Sequence, residues 1–337
     1  MAYTTKKEIF EQTNTWVLDL TRQILTQIER HTHPVRTSLE AEIGPFNDSD
    51  VHLAEIAIGM APEPFGLAHV YQCIPYANPQ LFRQDLEGAV RRGWLTINAE
   101  GTYRATDKGL RFHKRLYGEL QNLYNNLFPL PMMQLERLDA ILSEIITAIR
   151  NNSKIGYKPA FEMDLRLAPV APSTLQKICC KLSHLMAFRD DAYVNAWMEK
   201  EINSYVWEAF SYIYKGQAQT AAELAKLLET QRQYGESAYA QALTELEARE
   251  WVSECSGKYE PSVEGLKVLA EVARTMTQSF FEPWAEIEEP KINQLQILME
   301  ALIQGLKAPQ IKRWHGSTSA SRNFGWRSAQ WVRDKVS

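Results

Sequence analysis

Apolar positions recur at helical spacing along most of the chain, and strand-like stretches occur at two places. Phe10, Val17, Leu20, Ile24 and Ile28 predict one amphipathic helix over residues 5–30. The stretch from His33 to Pro45 is less periodic, and Gly44-Pro45 breaks it. Asp48 or Ser49 is placed to cap a helix through Val51, Ala54, Ile58 and Met60, which Pro62 and Pro64 stop. A short helix follows near Gly66 to Gln72. A third is expected from Pro79 to Arg92, with Asn78 as cap and proline at the first helical position. Gly93 supplies its left-handed stop. Trp94 to Ile97 and Thr102 to Ala105 then read as a hairpin around Ala99-Glu100-Gly101. Thr106 caps a helix from Asp107 to about Leu127, Pro129 and Pro131 end it, and another runs from about Met132 to Ile149. The pair forms an antiparallel helical arm.

The same pattern returns later in the chain. Trp251 matches Trp94 at an offset of 157, whereas Gly257, Tyr259, Gly265 and Leu266 match Gly101, Tyr103, Gly109 and Leu110 at 156. One residue is lost in the ribbon turn, where deletions are best tolerated. Ser262 stands where Thr106 stood, and the segment from Gln294-Leu295 reads like Gln134-Leu135 at an offset of 160. Caps, aromatics and helix breaks repeating in order point to an internal duplication. Upstream of the second ribbon come a helix rich in aromatics from Tyr205 to Tyr214, a capping box at Thr220 and Glu223, and a helix over Ser237 to Glu250.

Both units resemble the winged helix-turn-helix domain of MarR- and PadR-type bacterial regulators. The residues that carry the resemblance are the Gly93-Trp94-Leu95 exit, the Gly101-x-Tyr103 turn and the Ala105-Thr106-x-x-Gly109-Leu110 return. In the second copy they are Glu250-Trp251-Val252, Gly257-x-Tyr259 and Ser262-x-x-Gly265-Leu266. The expected fold is mainly α with small β-ribbons: two winged units, each followed by a helical arm. The boundaries are an N-terminal packing helix (1–50), unit 1 with its arm (51–150), a linker and helical connector (151–198), unit 2 with its arm (199–306) and a basic, disordered tail (307–337). In those regulators two protomers pair through flanking helices, so the resemblance implies a pseudo-dimer within one chain or a homodimer of tandem units. It also implies double-stranded DNA as partner. Gln80, Arg83, Gln84 and Arg91 on the third helix and Arg104 in the wing are the candidate contacts. The second unit departs from the pattern, with Glu236, Glu245, Glu247 and Glu250 against Arg249, and Glu254 and Glu260 against Lys258. Such a face repels phosphate.

Charge sharpens this division. The net charge of −4 combines +6 over residues 307–337 with −10 over the rest. Without a membrane-length apolar run or a leader-like start, the expectation is a cytoplasmic protein without a membrane partner. Cys73, Cys179, Cys180 and Cys255 lack metal-ligand spacing and read as reduced thiols. His31-x-His33 reads as a surface pair at a helix end, and Asp190-Asp191 as the cap of a helix carrying Val194 and Trp197. Trp197, Trp207, Phe210 and Tyr214 are candidates to line a small-molecule cavity between arm and second unit. Trp314, Trp326 and Trp331 interleave with Lys312, Arg313 and Arg327 in the tail, a composition that suits single-stranded nucleic acid or an untethered end. No phosphate loop, dinucleotide glycine pattern or nucleophile elbow occurs, so no catalytic residue, cofactor or metal is assigned. Two functions compete: a DNA-binding regulator, and a winged-helix protein that binds a small molecule or docks a protein without DNA.

Overall fold

Asn78, Thr106, Thr220 and Ser262 cap helices where the sequence places them. The computed structural model describes residues 16–43, 53, 56–61, 63–151, 155–167 and 172–307. Those residues are mainly helical, with two small antiparallel two-stranded sheets. The first half runs α1 (Trp16–Ile43), a helical turn at 56–59, α2 (Leu67–Cys73), α3 (Pro79–Arg91), β1 (Leu95–Ile97), β2 (Tyr103–Ala105), α4 (Asp107–Asn125) and α5 (Met132–Asn151). After α6 (Pro159–Arg166) the order repeats. It runs α7 (Thr174–Met198), α8 (Ser204–Tyr214), α9 (Ala221–Arg232), α10 (Glu236–Ala248), β3 (Val252–Cys255), β4 (Lys258–Pro261), α11 (Val263–Phe281), a 3-10 turn (Glu282–Glu286) and α12 (Glu289–Lys307).

Matching caps produce matching corners. Thr106 accepts from the Gly109 amide at 3.1 Å and Ser262 from the Gly265 amide at 2.9 Å. Both glycines are required by close approach. A Cβ at Gly109 would lie 2.2 Å from the Trp94 carbonyl oxygen, and one at Gly265 would lie 2.0 Å from that of Trp251. Each ribbon is thereby fixed against the first turn of the helix that follows it. In β1–β2, Thr96 pairs with Arg104; in β3–β4, Ser253 pairs with Glu260.

Three differences from the sequence reading have physical causes. Among the described residues α1 continues to Ile43 through Pro34 instead of ending near residue 30. Proline removes one helical donor, but Val17, Ile24 and Ile28 are buried on one side of it and Leu39 on the other. Asp190 and Asp191 lie inside α7 and not at its start, because Ser173 caps that helix seventeen residues before Asp190. The true start was hidden because α7 is buried almost all round and shows little polar-face periodicity. Third, α6 interrupts the expected linker, and the Asp191 carboxyl group caps it by accepting from the Ala160 and Phe161 amides at 3.1 and 2.8 Å. Residues 5–15, the candidate caps Asp48 and Ser49, and the whole tail after Lys307 lie outside the described residues.

The core forms in three parts. Leu81, Phe82, Leu86, Trp94 and Phe112 belong to the first unit's core, and Val206, Phe210, Leu224, Leu243 and Trp251 to the second's. The third, central part is helical and is built by exchange. Arm helix α5 packs along α7, which precedes the second unit, while α12 packs along α1, which precedes the first. Each arm thus completes the other half. Arg137 donates to Gln294 at 2.8 Å and Lys291 pairs with Glu144 at 2.8 Å where α5 and α12 meet. His31 Nε2 lies 3.0 Å from the Leu306 carbonyl oxygen, which ties α1 to the end of α12.

Candidate nucleic-acid interface

The α3 helix begins at a polar cap. Asn78 accepts from the Gln80 amide at 3.0 Å, and Pro79 occupies the first position, where no donor is lost. Leu81, Phe82, Leu86 and Ala89 are buried, which turns the opposite face outward. Gln80, Arg83, Gln84, Glu87 and Arg91 are all exposed at spacings of three and four. Arg104 is exposed on β2, and its neighbour Tyr103 is buried. Burial and then Glu87 raise the Tyr103 phenol, whereas Arg83 opposes them, which places these groups close together. Arg91 lies 4.0 Å from Glu87, an exposed pair of little energetic weight. Among the described residues, Arg83 and Arg104 form no ion pair, so their charge faces solvent.

The matching face of α10 carries Glu236, Ser237, Ala240, Gln241, Thr244 and Glu247, all exposed. Arg249, at the end of α10, is already occupied. Arg249 donates to the carbonyls of Lys200 and Glu201 at 3.0 and 2.9 Å, pairs with Glu245, and lies 5.3 Å over the Trp251 ring. Exposed Glu254 and Glu260 extend this face along the ribbon. The two units therefore present equivalent surfaces of opposite character.

The turns that precede α3 and α10 bond to each other. The Asn78 amide donates to the Arg232 carbonyl at 2.9 Å, and the Asn78 side chain donates to the Gln233 carbonyl at 3.3 Å. Tyr76, just before α3, belongs to the second unit's core and accepts from Trp197 Nε1 at 2.6 Å. Ser204 donates to the Pro75 carbonyl at 2.6 Å. Beneath the contact, Arg232 donates through Nε and Nη2 to both carboxylate oxygens of fully buried Glu208, at 2.8 and 2.9 Å. Burial acts against the Arg232 charge, and Glu208 outweighs it, so the guanidinium pKa lies above its ordinary value. Pro79 is one residue from this clamp and Glu236 three from Gln233, so the two helix starts lie within about 20 Å.

The aromatic candidates divide. Trp197, Trp207 and Phe210 are buried together: the two indoles stack at 6.4 Å, and Phe210 meets Trp207 edge-on at 5.8 Å. Trp207 Nε1 donates to the Tyr193 hydroxyl at 2.8 Å. Tyr214, at the end of the same helix as Phe210, is 51% exposed. Sequence reasoning missed Tyr76, the second role of Asn78, and the Arg232–Glu208 pair. Each is a contact over more than twenty residues that no local spacing announces. Among the described residues, no group of three or more His, Cys, Asp or Glu is placed to hold a metal ion, and no helix is long and apolar enough to cross a membrane. Comparison with models of protein families, with curated proteins and with solved structures finds no match.

Proposed function

We propose that the chain is a duplex-DNA-binding regulator made of two winged-helix units, in which only the first meets DNA. The observation that supports this most is the exposed α3 face with Arg83, together with exposed Arg104 on the ribbon, set against an acidic equivalent in the second unit. The second unit serves as the built-in partner that a separate protomer supplies in dimeric regulators. Paired reading helices enter successive major grooves with about 34 Å between them. The clamp holds the two helix starts closer than that, so one chain offers one reading helix. The expected site on DNA is a single half-site per chain.

Anisotropy titration of a fluorescent duplex tests this reading. Arg83→Ala is expected to weaken binding by about 1–3 kcal/mol, roughly 5- to 150-fold, if it reaches a base edge. Arg104→Ala is expected to weaken binding equally on all sequences and to reduce the salt slope by about 1. A wild-type chain that binds no duplex at low salt would remove the proposal. The clamp itself favours the second reading, a winged-helix protein that docks a protein or small molecule, because it covers the start of α3. That reading predicts no DNA binding under any salt condition.

A further inference from the structure

The strongest unassigned charge on the first unit lies on α4. Lys108, Arg111, Lys114 and Arg115 are exposed within two turns, and Asp107 is the one acidic residue among them. Residues 108, 111 and 115 fall within about 60° of one another around the helix, and Lys114 lies on the shoulder of that stripe. Burial of Phe112 and Leu116 fixes the stripe outward. Phe112 stacks on Trp94 with 4.5 Å between ring centroids, and Gly109 is pressed against the Trp94 carbonyl, so α4 cannot rotate. The stripe joins the α3 face directly: Lys108 Nζ donates to the Arg92 carbonyl at 2.7 Å, at the end of α3. From there it runs along α4 for about 10 Å.

The repeat provides an internal comparison. At an offset of 156, Lys108 is replaced by Glu264, Lys114 by Ala270 and Arg115 by Glu271. Lys267, which replaces Arg111, is paired with Glu264 at 2.8 Å. The caps and apolar positions of α11 match those of α4, yet the exposed charge is reversed. Folding therefore does not demand the cations. Among the described residues, Arg111 and Lys114 form no hydrogen bond or ion pair.

We infer that the α4 stripe is a phosphate track for the backbone of duplex DNA, leading from the end of α3 away from the clamped turns. This rests on the first unit being the DNA-binding one. The clamp lies at the start of α3 and the stripe begins at its end, about 20 Å along the helix from the turns shared with the acidic second unit.

The test is duplex binding by the full chain from 50 to 200 mM salt, with Arg111→Gln/Lys114→Gln against wild type. Both substitutions are at exposed positions, and far-ultraviolet circular dichroism checks the fold. Two lost phosphate contacts reduce the log–log salt slope by about 1.8, so the loss of affinity over that range becomes about 12-fold smaller. Lys267→Gln on α11 is expected to leave the slope unchanged. If the double variant keeps the wild-type slope while Arg83→Ala still weakens binding, the track is wrong and the regulator reading stands. If the wild type binds no duplex, both fall. If the double variant instead abolishes low-salt self-association seen by sedimentation, the stripe meets the acidic unit of a second copy and the phosphate assignment is overturned.

Discussion

Asp191 shows how much one buried carboxyl contributes. Burial raises its pKa to about 8, against the two amide hydrogen bonds from Phe161 and Ala160 that lower it, while Asp190 and Glu162 raise it further. The folded state thus holds its proton at a pH where the unfolded chain has lost it. The resulting stabilisation is complete below about pH 4 and is lost as pH rises through about 8. Urea unfolding at pH 5, 6.5 and 8 should show this decline, and Asp191→Asn should flatten it. The thiols follow the same physics. Burial pushes Cys73 and Cys180 up to about 12, and Cys179 higher, while Cys255 is exposed on β3. A thiol reagent at pH 8 is expected to label one cysteine rapidly in the native chain, and peptide mapping should place it at Cys255. Fast labelling of two or more would contradict the packing of α2 or α7.

At the scale of elements, the joint beneath the two turns is the most vulnerable contact. Glu208 is fully enclosed and both its oxygens are taken by Arg232, so Glu208→Ala leaves a buried guanidinium without its carboxylate. The expected cost is about 3–5 kcal/mol, whereas Glu208→Leu with Arg232→Met should be close to neutral. Chemical denaturation of these two variants beside wild type separates a buried-charge penalty from lost packing. Elements governed by local chemistry were legible in the sequence. Asn78-Pro79, Thr106, Thr220 and Ser262 start helices as their side chains dictate, and both ribbons form where Trp94 and Trp251 begin them. The exposed set Gln80, Arg83, Gln84 and Arg91 was likewise readable, since helical spacing alone separates it from Leu81, Phe82 and Leu86. α7 was not legible as one helix, because burial on nearly every side removes the polar stripe that would mark it.

At the scale of the whole molecule, the repeat was visible but its assembly was not. The crossing of α5 onto α7 and of α12 onto α1 depends on contacts far apart in sequence. So does the insertion of Tyr76 into the second unit. This exchange makes the two halves interdependent, and the clamp then sets what surface they present. Among the described residues, the first unit leaves Arg83 and Arg104 exposed without an ion pair, whereas the second ties up Arg249 and exposes carboxylates. The most direct measurement compares the exposed faces of α3 and α10 on one DNA duplex. Arg83→Ala in α3 and Gln241→Ala in α10 are titrated beside wild type by fluorescence anisotropy at fixed low salt. The account predicts a loss of at least about fivefold for Arg83→Ala and none for Gln241→Ala. Equal losses in both units, or no binding by the intact chain, would contradict it.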